Sequence, residues 1–179
     1  MALTGADEFK RLQILTSLWR IVMTSAAKTS RGGKYLTFVL NAEQYGLEIL
    51  KVREILGVLP ITPMPQAPHF VKGVINLRGK VIPVIDSRLK FGMVEIEYTS
   101  ETCIIVVDVN GAWMGMIVDT VKEVMDISED QIEDAPKVGG GDSGAIRGLG
   151  KVGNQVKILL DIDKVLSDMI VNDIPSFNL

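Results

Sequence analysis

The stretch Gly46-Leu47-Glu48-Ile49-Leu50-Lys51-Val52-Arg53-Glu54-Ile55 returns 69 residues later as Gly115-Met116-Ile117-Val118-Asp119-Thr120-Val121-Lys122-Glu123-Val124. Leu47, Ile49, Val52 and Ile55 fall on Met116, Val118, Val121 and Val124, Glu54 falls on Glu123, and just beyond the run Val58 falls on Ile127. Upstream, at the same spacing, Leu36, Phe38, Leu40 and Asn41 meet Ile105, Val107, Val109 and Asn110, an apolar strand with the turn that ends it. Downstream, Gly73, Val81, Val84, Ile85 and Asp86 return 75 residues later as Gly148, Val156, Leu159, Leu160 and Asp161. The six extra residues fit the glycine-rich segment 139–144. Agreement at this many positions marks an internal repeat.

Each copy consists of short β-branched and aromatic runs broken by Asn, Gly and Pro, the pattern of antiparallel strands joined by tight turns. A copy of roughly 55 to 65 residues is a size at which a small barrel closes its own sheet and hides its edges. The expected fold is therefore mainly β, two tandem five-stranded antiparallel barrels, the first over 34–98 and the second over 99–179.

The flanks read differently. Phe9, Leu12, Leu15, Leu18, Trp19 and Val22 recur at steps of three and four, which predicts an amphipathic helix over 7–23. Segment 24–34 has almost no large apolar side chain and ends near a glycine pair, so 1–33 is expected to be a helix and a flexible linker. After Leu160, Asp161 is placed to cap a short C-terminal helix whose apolar face is Ile162, Val165, Leu166, Met169 and Ile170.

Composition narrows the function. The chain has 179 residues, is 47% hydrophobic and carries a net charge of −3, so it has enough chain for a core and no global basic field for nucleic acid. Aromatic residues make up only 6%, too few for the stacking platforms of a single-strand binder. Cys103 is the single cysteine, which rules out an intrachain disulfide and a paired-cysteine zinc site and suits a reducing compartment. Arg20 interrupts the early apolar stretch and acidic residues precede it, unlike a secretory signal, and no window approaches a membrane span. A cytoplasmic protein without membrane insertion is expected.

Catalytic chemistry finds little to use. Cys103 opens an apolar run in which a thiol is desolvated and inert. His69, the only histidine, lies in a proline-rich turn with no carboxylate nearby in sequence. Gly148-Leu149-Gly150-Lys151-Val152-Gly153 matches a dinucleotide fingerprint, but a strand pattern follows it where a helix is needed. Gly139-Gly140-Gly141 lacks the Gly-Lys-Ser/Thr ending of a phosphate loop. Asp86 and Asp161, repeat equivalents at strand ends, are read as structural caps; a small carboxylate-dependent hydrolase or transferase using them or His69 is the alternative function. No catalytic residue, metal or cofactor is assigned. Val52, Glu54 and the run 74–78 instead mix large apolar groups with single charges, a composition suited to recognition.

Those residues carry a resemblance. Segment 73–86, with Tyr45-Gly46-Leu47-Glu48-Ile49 and Val52-Arg53-Glu54-Ile55 before it and Gly115-Met116-Ile117-Val118-Asp119 and Gly148-Leu149-Gly150 in the second copy, closely resembles the bacterial chemotaxis coupling protein CheW family. The similarity runs from about Tyr35 to Leu166 and includes no receiver or kinase domain. It implies two SH3-like barrels and a non-enzymatic adaptor joining chemoreceptor tips to the histidine kinase CheA, whose regulatory domain is itself built of paired barrels. It also implies a groove between the barrels that takes the receptor's helical hairpin tip, and recruitment to receptor arrays at the membrane. By motif position the partner-binding residues are Val52, Glu54, Gly73, Val74 and Arg78. Ser87 departs from the family, which usually has leucine there.

Overall fold

A computed structural model describes residues 31–136 and 143–167. In chain order its strands are β1 (Gly33–Leu40), β2 (Glu43–Glu48), β3 (Val52–Gly57), β4 (Val71–Leu77), β5 (Lys80–Asp86), β6 (Cys103–Val109), β7 (Ala112–Val118), β8 (Thr120–Ile127), β9 (Ile132–Glu133), β10 (Ile146–Val152) and β11 (Gln155–Leu160). Two single-turn helices, α1 (Ser87–Lys90) and α2 (Ile162–Val165), follow β5 and β11. The helix expected over 7–23, the Gly139-Gly140-Gly141 loop, and Met169 and Ile170 lie outside the described residues.

The strands form two sheets, β8-β1-β2-β11-β10-β9, called barrel 1, and β3-β6-β7-β5-β4, called barrel 2. Pairing is antiparallel except for one parallel contact in each, β2 with β11 and β5 with β7. These are the two SH3-like barrels, but 34–98 and 99–179 are not their boundaries. Each half of the chain is split between the barrels: β1 and β2 of the first half join β8 to β11 of the second in barrel 1, and β6 and β7 of the second half join β3 to β5 of the first in barrel 2. The halves themselves are thus interlaced. A symmetric exchange leaves the residue pattern of each copy intact, which is why the repeat does not reveal it.

The exchange follows from what the outer faces bury. Leu36, Phe38 and Leu40 of β1, Leu47 of β2, Ile105 and Val107 of β6 and Met114 and Met116 of β7 meet in one large core between the barrels. The opposite faces fill the barrel interiors, with Ile104, Val106 and Ile117 in barrel 2 and Tyr35, Ile127 and Leu159 in barrel 1. A strand buried on both faces reads as a continuous apolar run, as 103–107 does. Cys103 is buried there, its Sγ donating to the Glu101 carbonyl at 3.2 Å, in the core role expected of it.

Turns and caps also follow local chemistry. The β4–β5 hairpin turns on Arg78 and Gly79 at φ 52° and 85°, and the β6–β7 hairpin on Asn110 and Gly111 at 51° and 89°. Two consecutive left-handed residues match the twist of the flanking strands. Asp86 caps α1, accepting from the Arg88 and Leu89 amides at 2.9 and 3.2 Å, and Asp161 caps α2 through the Lys164 amide at 3.3 Å. The Ser87 hydroxyl beside the first cap is fully buried and has no hydrogen-bond partner. A buried hydroxyl without a partner carries a desolvation penalty. Ser87→Ala is expected to raise unfolding stability by about 1 kcal/mol in urea titration; a loss of that size would show that the hydroxyl is satisfied.

Candidate functional site

Val52 and Glu54 are two apart on β3 and, in a regular strand, share a face. A bulge between them in the pairing with β6 breaks that phase. Val52 is 2% exposed and joins the core between the barrels, as does the partly buried Ile55 three residues on. Glu54 turns instead to the rim of barrel 2. There its carboxylate receives both terminal nitrogens of Arg78, Nη1 to Oε2 at 2.9 Å and Nη2 to Oε1. The carboxylate is 18% exposed and the guanidinium 71%.

This fork joins the two outer strands of barrel 2, since β3 and the β4–β5 turn stand at opposite ends of its sheet order. Beside it, Arg53 grips Asp108 with Nε at 3.1 Å and Nη2 at 2.5 Å. Burial raises the Asp108 carboxyl, but Arg53, the Gly111 amide and Lys51 outweigh it and hold the group below the usual carboxylate range. β3 therefore contributes one member to each of two ion pairs, Arg53 with Asp108 of β6 and Glu54 with Arg78 of the β4–β5 turn.

Gly73 has a different place. It is buried, at φ 139°, and follows a register shift in the pairing of β4 with β5. Next to it Thr62 and Val74 exchange backbone hydrogen bonds, each 2.9 Å, which carry the chain after β3 onto β4 and close barrel 2. A Cβ on residue 73 would lie 2.0 Å from the Thr62 carbonyl oxygen. Val74 is half-buried against this closure. Of the five residues singled out in sequence, Glu54 and Arg78 are brought together at the surface, Gly73 and Val74 shape the seam beneath, and Val52 is core.

A second junction was not visible in sequence. Asp119, between β7 and β8, accepts from Arg88 Nε and Nη2, both at 2.7 Å, and from the Asn41 amide at 2.9 Å. Burial pushes its carboxyl up, and the Arg88 and Asn41 bonds more than offset this, so it stays below the usual range. The group ties α1, the β1–β2 turn and the strand crossover into one knot. The partners lie 31 and 78 residues from Asp119 in sequence, beyond any local spacing rule.

The carboxylates that the catalytic alternative needs are already engaged. Asp86 spends Oδ1 on the α1 cap and receives the Tyr98 hydroxyl on Oδ2 at 3.1 Å; burial and that carboxylate hold the Tyr98 phenol well above its ordinary range. His69 is exposed, its ring set edge-on to Phe70. Gly148 and Gly150 lie within β10 and Gly153 in the turn after it, so the glycine fingerprint belongs to a hairpin. Among the described residues no group of three or more His, Cys, Asp or Glu is placed to hold a metal ion. Nor is any helix there long and apolar enough to cross a membrane.

Comparison with known proteins bears on this directly. The family described as the CheW-like domain matches residues 34–169. The chain belongs to that family. It is 39% identical over 137 residues to the chemotaxis protein CheW of Klebsiella aerogenes, covering 76% of this chain and 82% of that one. To the chemotaxis protein CheW of Rhizobium meliloti it is 36% identical, over 80% and 94% of the two chains. The crystal structure of the scaffolding protein TtCheW from Thermoanaerobacter tengcongensis superposes with a TM-score of 0.71 at 37% identity, covering 75% of this chain and 92% of that one. The matched region 34–169 takes in strands of both interlaced barrels, so the exchange of the β1–β2 and β6–β7 hairpins lies inside it.

Proposed function

We propose that this chain is a non-enzymatic adaptor that couples chemoreceptors to the histidine kinase CheA by protein contacts alone. The observation that carries the reading is the Glu54–Arg78 fork on the rim of barrel 2, an exposed, ordered charge pair in a chain of the CheW-like family. Its partner there is the receptor's cytoplasmic tip, and the kinase's regulatory domain is the second partner, which places the adaptor in the cytoplasm at receptor arrays. Buried side chains such as Phe38, Ile105 and Met116 form the core between the barrels, so the receptor tip meets the outer surface of that junction and the rim that carries the fork.

An exposed ion pair adds little to stability but much to recognition when a partner covers it. Arg78→Ala is therefore expected to weaken binding of a purified receptor tip at least about tenfold while shifting unfolding by less than about 1 kcal/mol. Alanine bears the same left-handed backbone cost at this turn as arginine, so the comparison isolates the side chain. Titration of receptor tip and kinase separately, with unfolding in parallel, checks this. Wild-type protein that binds neither partner would end the adaptor reading, and unchanged receptor affinity in the variant would remove the fork from it.

A further inference from the structure

Barrel 1 departs from barrel 2 at a cross-strand pair that is buried in both. In barrel 2, Ile75 on β4 faces Ile82 on β5, and both are buried in the barrel interior. By the 75-residue spacing the corresponding pair in barrel 1 is Gly150 on β10 opposite Lys157 on β11. Two large apolar residues have become one small residue and one cation.

Lys157 is 3% exposed. Its ammonium donates to the side-chain oxygens of Gln155, at 2.7 Å, and Gln44, and Gln44 Nε2 donates in turn to the same Gln155 oxygen at 3.3 Å. Among the described residues it has no carboxylate within ion-pair distance. Gln155 is exposed at the start of β11, and Gln44 is half-buried on β2, so the cation sits at a mouth of the barrel, beneath two amides. Taking an ammonium out of water without an opposite charge is unfavourable, and dipoles of neutral amides restore only part of the loss. The fold does not require it, since Ile82 occupies the same place in the twin barrel and is fully buried.

We propose that this mouth is a socket for one carboxylate of a protein partner, which displaces the exposed Gln155 amide from the Lys157 ammonium and completes a buried ion pair. The inference rests on the adaptor reading: the Glu54–Arg78 fork assigns the receptor to barrel 2, and barrel 1 is left for the kinase's regulatory domain. The occupant is thus an aspartate or glutamate side chain of that domain.

The test is calorimetric titration of the purified full chain with the kinase regulatory domain, for wild type, Lys157→Met and Gln155→Ala, with thermal unfolding of each. Lys157→Met is expected to unfold at a higher temperature, bind the kinase domain at least about tenfold more weakly and bind the receptor tip unchanged. Gln155→Ala, which clears the socket without removing the cation, is expected to bind the kinase domain as tightly as wild type or tighter. A glutamine scan of the kinase domain's carboxylates should find one change that weakens wild type and leaves Lys157→Met untouched. Wild-type binding matched by Lys157→Met would overturn the socket and leave the adaptor standing; wild type that binds no kinase domain would overturn both.

Discussion

Gly73→Ala is expected to destabilise the protein by about 3–5 kcal/mol, in the range of the most damaging single substitutions. Two costs coincide at this residue. Its φ of 139° lies where a side chain is strained, and its Cβ would lie 2.0 Å from the Thr62 carbonyl oxygen. That oxygen accepts the Val74 amide in the bridge that closes barrel 2, so moving it away breaks the closure. Gly79 supplies the control. It has φ 85° but open space where its Cβ would go, so Gly79→Ala carries only the backbone cost, about 1 kcal/mol. At Gly148, the repeat equivalent of Gly73, there is no left-handed strain, but a Cβ would lie 2.7 Å from Ile132 Cγ2 and 2.8 Å from the Glu133 carbonyl oxygen where β9 closes barrel 1, and its alanine variant should fall between. Urea titration of the three variants checks the order. Gly73→Ala as mild as Gly79→Ala would show that the seam yields freely and that Thr62 does not hold it.

The pairing of Gly73 with Gly148 shows how much was legible. The repeat places a glycine at the same point of both halves, and the structure supplies a shared reason, the passage of a closing carbonyl over β4 or β10. Strand pattern, turns, the Asp86 and Asp161 caps and the buried Cys103 all follow from neighbours in sequence, which is why they were readable. What failed depends on a partner far along the chain. Val52 and Glu54 look like one surface because strand alternation puts them on one face, and only the bulge against β6 separates them. The barrel boundaries failed for a similar reason. Alternation tells which residues point inward, and it does not say whose sheet receives the strand. Lys157 was legible in principle, since the repeat aligns it with Ile82, but its meaning came from the amides that surround it.

Asp119→Asn is the second large effect, about 2–3 kcal/mol at neutral pH. The substitution keeps the shape and removes the charge, leaving the Arg88 guanidinium, whose side chain is 11% exposed, without its counter-ion. Breaking one side of a buried pair costs several kcal/mol, and the 20% exposure of Asp119 lets water reduce that figure. For a chain of this size the unfolding temperature should drop by roughly 5–10 °C. The pH dependence identifies the cause. The folded carboxyl titrates below its unfolded value near 4, so its contribution is complete above that pH and is lost as pH falls through the folded value. The gap between wild type and Asp119→Asn should therefore be constant from pH 5 to 8 and shrink as pH falls below about 4, closing only below the folded value, where wild type also carries a neutral side chain. A gap of equal size at pH 3 and pH 7 would mean that shape, through the Asn41 amide, holds the crossover and that the Arg88 charge contributes nothing. Because Asp119 stands where β7 leaves barrel 2 and β8 enters barrel 1, the same variant reports how firmly the two interlaced barrels are fixed to each other, and therefore whether the Glu54–Arg78 rim and the Lys157 mouth are presented to two partners at a fixed separation.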